Sequence, residues 1–289
     1  MSIEKKDTIF HNKTVLLALD MTYMDTLLIR YLAFLRDKIG IEHIYFYHNI
    51  WFNNEENGAA ILSKLSRPLE DILADKIEKL AEGHFDKGDY EIIVTKSKDS
   101  AQEINRIQEI KKIDLSIFGK KVSVNDSGYL IERILYNKSA SDLLIVPETA
   151  FYRLENVLVP IDFSRKSAKA LLKSISLTER IKARISCLHV FAIANIYFPY
   201  LPIKDLKEQT QEKAKEEWKK YKAKYLQDSE VPEISFSFHA DMSVSRVIYE
   251  RALKEETDII ALPADASIIN SKLISLLKMD MHLPLLILN

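Results

Sequence analysis

Glycine is scarce and unevenly placed. The chain of 289 residues has six, Gly40, Gly58, Gly83, Gly88, Gly119 and Gly128, and none from residue 129 onward. A glycine-rich phosphate loop needs backbone at positive φ and close approach of backbone amides to the ligand, which side chains obstruct. The C-terminal half therefore lacks the residues for such a loop in its usual form. Proline is skewed the other way, with Pro68 alone before residue 147. Cysteine is reduced to Cys187, which excludes an internal disulfide and any multi-cysteine metal site and fits a reducing compartment. Set mid-strand between apolar neighbours, Cys187 reads as a buried, inert thiol.

Neither sign of charge is in excess: 41 basic and 42 acidic side chains leave a net charge of −1. Nothing draws the whole molecule to nucleic acid or to an anionic membrane, and neither is expected as a partner. Long apolar runs are also missing, with no stretch of about 18 uncharged apolar residues. The opening Met-Ser-Ile-Glu-Lys-Lys-Asp carries charges of both signs and no run of signal-peptide length. The expectation is a soluble cytoplasmic protein. No G-x-S-x-G elbow, G-x4-G-K-[ST] loop or H-E-x-x-H helix occurs, and no two histidines stand four apart, so no catalytic residue and no metal site is expected.

What the chain does have is an internal repeat. Val15-Leu16-Leu17-Ala18-Leu19-Asp20 matches Val157-Leu158-Val159-Pro160-Ile161-Asp162 at an offset of 142. At the same offset Ile92-Ile93-Val94 falls on Ile234-Ser235-Phe236, and Leu143-Leu144-Ile145-Val146 on Leu285-Leu286-Ile287-Leu288. Ile44 to His48 corresponds to Ile185 to His189, and Asp114 to Phe118 to Asp258 to Leu262, with slips of one and two residues that belong in loops. Each copy is domain-sized, so this is a tandem duplication, residues 1–150 and 151–289, with its boundary near Glu148 to Glu155.

Within each copy, strand-length apolar runs alternate with longer segments of helical period, the pattern of a parallel sheet covered by helices. Strands are expected near 14–19, 43–48, 91–95, 114–118 and 143–146, and helices near 24–39, 61–82, 100–111 and 128–137. The second copy repeats the order, with strands near 156–161, 184–190, 234–239, 258–262 and 284–288. Its first helix takes an apolar face from Leu171, Leu172, Ile175, Ser176 and Leu177. Residues Lys204 to Lys224 read as a solvated helix packing through Leu206, Ala214, Trp218, Tyr221 and Tyr225.

The segment Val157-Leu158-Val159-Pro160-Ile161-Asp162-Phe163-Ser164, followed by a helix and Leu188-His189-Val190, resembles the opening of a universal stress protein domain. Pro284-Leu285-Leu286-Ile287-Leu288 is similar to that family's closing strand. The resemblance spans residues 12–148 and 155–289, the first copy being the more diverged. It implies two tandem doubly wound α/β domains of the adenine nucleotide alpha hydrolase-like class, each a five-stranded parallel sheet of order 3-2-1-4-5. It further implies ligands beyond the carboxyl ends of the strands at the switch between strands 1 and 4. Edge strand 5 commonly mediates dimers in the family, so 143–146 and 285–288 are expected to pair within the chain as a pseudo-two-fold monomer, covering both apolar edges.

Nucleotide-binding members carry G-x2-G-x9-G-[ST] after strand 4, and both copies depart from it. The first reads Gly119-Lys120-Lys121 and then Gly128-Tyr129 at too short a spacing; the second reads Asn270-Ser271 with no glycine. ATP is therefore not expected as a cofactor. In the first copy Lys120, Lys121 and the helix start at Gly128 form a candidate anion site. The acids Asp20 and Asp162 end strand 1 in both copies; in the family this position lies by the adenosine, and its plain alternative is a turn or cap acceptor. Ser164, His189 and Val190 complete the candidate set. His48 and His189 recur at the end of strand 2, where a hydrogen bond to a loop is the simpler role. A receiver-type phosphotransfer domain is set aside, because strand 3 runs into Lys96-Ser97 or His239-Ala240 instead of an aspartate.

The stretches Ile50-Trp51-Phe52 and Phe191 to Pro202 are richer in aromatic and apolar residues than solvated loops require. They read as packing over the neighbouring domain or as lining a pocket with Trp51, Phe52, Phe191 and Tyr197. The resulting expectation is a non-catalytic stress-response binding or regulatory protein with a protein partner or small ligand. Two alternatives stand beside it: ATP binding with slow hydrolysis in the first domain, and carriage of a small apolar ligand.

Overall fold

The computed structural model describes residues 13–52, 62–63, 65–121, 127–137, 139–192, 203–226, 231–239, 242–264 and 282–289. Two compact units divide the chain, one of His11–Tyr152 and one that includes Arg153–Asn289.

The first unit runs β1 (Lys13–Ala18), α1 (Met24–Ile39), β2 (Ile41–Ile50), α2 (Leu69–Ala81), β3 (Tyr90–Lys96), α3 (Ser100–Ile110), β4 (Leu115–Lys120), α4 (Ser127–Tyr136) and β5 (Asp142–Pro147). Its strands are all parallel and lie in the order β3-β2-β1-β4-β5. Val15, Leu16 and Leu17 of β1 are wholly buried, as an inner strand covered on both faces must be. Leu28, Leu32, Leu35 and Ile39 bury the helical stripe of α1. The regular helix α2 begins at Leu69, not at 61, because Pro68 sets the entry angle and has no N–H to satisfy.

The second unit runs β6 (Asn156–Pro160), α5 (Arg165–Ile181), β7 (Arg184–Ala192), α6 (Ile203–Tyr225), β8 (Ile234–His239), α7 (Val244–Lys254), β9 (Ile259–Pro263) and β10 (Leu285–Leu288). Its parallel strands lie in the order β8-β7-β6-β9-β10, the same 3-2-1-4-5 arrangement. The buried face of α5 corrects the sequence reading. Ser167, Ala168, Ala170, Leu171, Ser174, Leu177 and Thr178 face inward, while Leu172, Ile175 and Ser176 are only half-buried. Small and hydroxyl residues serve there because Ser174 and Thr178 donate to the carbonyls of Ala170 and Ser174 at 2.8 and 3.0 Å, which satisfies both hydroxyls within the helix. On α6, Ala214 and Tyr221 are buried amid exposed lysines and glutamates.

The duplication extends to the backbone. Among the described residues, five non-glycine positions have positive φ: Met21, Lys112, Phe163, Lys182 and Glu256. Met21 and Phe163 stand 142 residues apart, Lys112 and Glu256 144 apart, and Lys182 matches Gly40, the left-handed C-cap of α1, at 142. Asp114 and Asp258 also do one job: each ties the approach to strand 4 to the start of strand 1, accepting Thr14 N–H at 2.9 Å and Asn156 N–H at 2.9 Å. No described helix is long and apolar enough to cross a membrane.

Candidate functional site

β1 pairs with β2 on one side and β4 on the other, so the chain leaves its carboxyl end in opposite directions and a crevice opens there. The loop after β1 is an Asx turn: Asp20 Oδ1 accepts the Thr22 N–H at 3.1 Å. In the second unit Asp162 Oδ1 accepts the Ser164 N–H at 3.0 Å in the same turn. The intervening Met21 and Phe163 take the left-handed conformation at φ 62° in both copies. His48 and His189 hold these loops from strand 2, each Nδ1 meeting a carbonyl, Leu19 at 2.9 Å and Ile161 at 2.8 Å. Both histidines thus play the loop-bonding role.

In the first unit the crevice is a cavity of about 320 Å³ lined by Ala18, Leu19, Asp20, Met24, Asp25, Leu28, Phe118, Gly119, Lys121, Leu130 and Ile131. Lys121 Nζ donates to Asp20 Oδ2 at 2.6 Å and lies 5.9 Å from the centre of the Tyr23 ring. Burial alone would raise the Asp20 carboxyl, but the Lys121 ammonium and the two Thr22 donors hold it below the usual carboxylate range. Asp25 is wholly buried, its oxygens accepting the N–H groups of Asp20 at 3.0 Å and Met21 at 2.9 Å. Burial, with the neighbouring Asp20 charge adding to it, pushes the Asp25 carboxyl up to about 6. The Tyr23 hydroxyl donates to Glu148, just past β5.

Of the expected anion site, the structure gathers less than the sequence suggested. β4 runs two residues further than expected, so Gly119 and Lys120 belong to the strand and not to the loop after it. Gly119 has a packing role: an added Cβ would sit 2.8 Å from Met24 Cγ and 3.1 Å from Leu28 Cδ1. Lys120 is buried and is not among the cavity residues, whereas Lys121 is. Gly128 is the second residue of α4, and Tyr129 is exposed, with the Arg133 guanidinium 5.8 Å from its ring centre. Asn270 and Ser271 lie outside the described residues.

The second unit fills the neighbourhood of its own first loop with rings. Phe163 stacks on His189 at 4.2 Å, meets Tyr221 edge-on at 5.6 Å and approaches Trp218 at 6.4 Å. The Tyr221 hydroxyl bonds Ser167 Oγ at 2.9 Å, and burial raises its pKa. Ser164 caps α5, its Oγ accepting the Ser167 N–H at 3.1 Å. Val190 lies within β7, opposite Ser237 of β8. Cys187 is buried, its thiol pushed up to about 12.

Trp51, Phe52 and Phe191, which the second reading of the stretches after strand 2 places in a pocket, are not among the residues that line the first unit's cavity. Trp51 is 60% exposed, Phe191 is buried against Phe238 at 5.8 Å, and Tyr197 lies outside the described residues. Sequence reasoning missed Asp25, whose only signal was an acid in the first turn of an apolar helix. Among the described residues no group of three or more His, Cys, Asp or Glu side chains is arranged to hold a metal.

Two doubly wound α/β units with a crevice at the strand switch define a class of small-ligand and nucleotide-binding folds. Residues 153–266 match the model of the universal stress protein family. A universal stress protein from Archaeoglobus fulgidus DSM 4304 aligns at 16% identity over 98% of both chains, with a TM-score of 0.59. A protein of Pseudomonas aeruginosa PAO1, described as functionally unknown, aligns at 11% identity over 98% of this chain and 94% of its own, with a TM-score of 0.64. A putative universal stress protein from Pseudomonas aeruginosa UCBPP-PA14 aligns at 12% over 97% and 94%, with a TM-score of 0.63. These are likenesses of fold. No curated protein matches the sequence.

Proposed function

We propose that this chain is a non-catalytic binding or regulatory protein of the universal stress response, a tandem member that does not work through ATP. The observation that carries the reading is the Asp20–Lys121 pair at 2.6 Å. The cavity's lysine is already neutralised by the acid that would lie beside an adenosine. A triphosphate entering there would have to break that pair and would meet two carboxylates, Asp20 and Asp25. Gly119, the first glycine available to a phosphate loop, is committed to β4 against Met24 and Leu28. In the second unit Phe163, on the first loop, packs against the rings of His189 and Tyr221, which supports the same reading.

The same proposal includes pairing of the two edge strands within the chain. Leu143-Leu144-Ile145-Val146 and Leu285-Leu286-Ile287-Leu288 are uncharged apolar edges, which unpaired would invite aggregation. The single buried thiol supports a reducing, cytoplasmic setting. The test is calorimetric titration of the purified chain with MgATP, followed by an hours-long hydrolysis assay, with sedimentation equilibrium on the same sample. Expected are no saturable heat, no ADP above the buffer blank and a 33.4 kDa monomer. Saturable binding with slow ADP release would replace this reading with the hydrolytic one.

A further inference from the structure

The charged groups of the first unit's cavity are all engaged within the protein. Eight of its eleven lining residues are apolar or glycine, and the charged ones are Asp20, Asp25 and Lys121. Lys121 Nζ donates to Asp20 Oδ2 at 2.6 Å, while Asp20 Oδ1 accepts from Thr22. Asp25 is wholly buried, with its two oxygens on the Asp20 and Met21 amides at 3.0 and 2.9 Å. A charged ligand therefore meets no open counter-charge and loses hydration against an apolar wall. Ala18, Gly119 and Leu130 line the cavity and are half-buried, so they offer it accessible surface, and the buried Met24, Leu28 and Phe118 back them. The fold does not demand this apolar wall. At the repeat offset of 142, Met24 falls on Lys166, which is exposed, and Leu28 on the shorter Ala170. The first helix forms with either set, so the larger apolar surface is a property of the first unit.

We propose that this cavity binds a small, uncharged, largely apolar molecule of about one ring and a short chain, seated on Ala18, Gly119 and Leu130. The inference rests on the reading that the crevice holds no nucleotide and names the ligand class of a binding protein. It sets the apolar-ligand site at the strand switch, away from the loops that follow the second strands. The volume of about 320 Å³ is roughly twice that of an engineered apolar cavity of ~150 Å³ that admits benzene, and it falls at the small end of the ~300–1,000 Å³ of ligand clefts. An uncharged molecule gains the apolar burial at no electrostatic cost. An ammonium or a carboxylate gains the same burial but has to displace an existing partner of Asp20 or Lys121, or stay unpaired.

The experiment uses the full chain with ¹³C-labelled methionine methyl groups, since Met24 lines the cavity and is buried; its signal is the one lost in Met24→Leu. At about pH 7.5, where the amine is protonated and the acid ionised, it is titrated with 2-phenylethanol, 2-phenylethylamine and phenylacetate, which share a ring and short chain and differ in head group. Expected is a saturable Met24 shift with the alcohol, about tenfold tighter than with the amine or the acid. Leu130→Trp and Ala18→Leu each narrow the cavity without touching its charges, and a variant that keeps the wild-type circular dichroism loses the shift. No Met24 shift with the alcohol, an amine or acid that binds as tightly, or an alcohol shift that survives in a folded variant of each kind overturns the proposal. A parallel ATP titration separates the two failures: a Met24 shift with ATP overturns the nucleotide-free reading and this inference with it, whereas silence toward both ATP and the alcohol overturns this inference alone.

Discussion

Asp20 and Lys121 stand 101 residues apart and are joined by a 2.6 Å ion pair at the polar edge of the first unit's crevice. The pair links the loop after β1 to the residue after β4, so it spans the strand switch itself. Asp20 is 53% exposed, which limits what the pair contributes. Lys121→Met should lower stability by less than about 1 kcal/mol in urea titrations at neutral pH. Asp20 has a folded pKa below its unfolded one, so its contribution is present above the ordinary carboxylate range and is lost as the pH falls through the folded value. A difference between wild type and Lys121→Met that grew on acidification would contradict this assignment.

Asp25 has the opposite sign. Its folded carboxyl is raised from the model-peptide value of 3.8 to about 6, so between those values the folded state holds the proton and the unfolded state does not. Stability from this group is highest at acid pH, declines as the pH rises toward 6 and is flat above. Relative to Asp25→Asn, the wild-type chain should therefore lose on the order of 2–3 kcal/mol between pH 4 and 7. Urea midpoints of the two proteins at four pH values check it, and parallel curves would exclude a buried, titrating Asp25.

Gly119→Ala places a methyl group 2.8 Å from Met24 Cγ in a packed wall. The expected cost is about 1–3 kcal/mol, recovered in part when Met24 is shortened to Ala. A double-mutant cycle in urea measures the coupling; additive effects would mean that Gly119 is not held by Met24.

Lys112 and Glu256 are exposed residues at φ 50°, at matching places before strand 4 of each copy. A left-handed residue with a Cβ costs about 1–2 kcal/mol, and glycine returns about half of that relief as unfolded-state entropy. Lys112→Gly and Glu256→Gly should each stabilise by about 0.5–1 kcal/mol, read as a higher Tm. Tyr221→Phe should destabilise by about 0.5–1.5 kcal/mol, the net value of the bond to Ser167.

The fold was legible because the repeat reports itself in apolar strand patterns, which a parallel sheet buried on both faces requires. Asp20 and Asp162 were legible as loop acids for the same reason, recurring at one offset and making the same Asx turn. The site was less so. Which of Lys120 and Lys121 reaches the crevice depends on whether β4 ends two residues earlier or later, and no composition signal fixes a strand end that closely. The inward face of α5 was misjudged because its serines and threonine satisfy their hydroxyls on the helix backbone, and hydropathy counts them as polar. Asp25 escaped because a first-turn acid is ordinarily a solvated helix-dipole partner, and only the tertiary fold buries it.

Mass spectrometry of the freshly purified chain, first under native and then under denaturing conditions, tests the central claim most directly, because it reports subunit mass and any retained small molecule together. The account predicts a 33.4 kDa monomer carrying no adenine nucleotide. A stoichiometric adduct with the mass of ATP or ADP, released on denaturation, would contradict it.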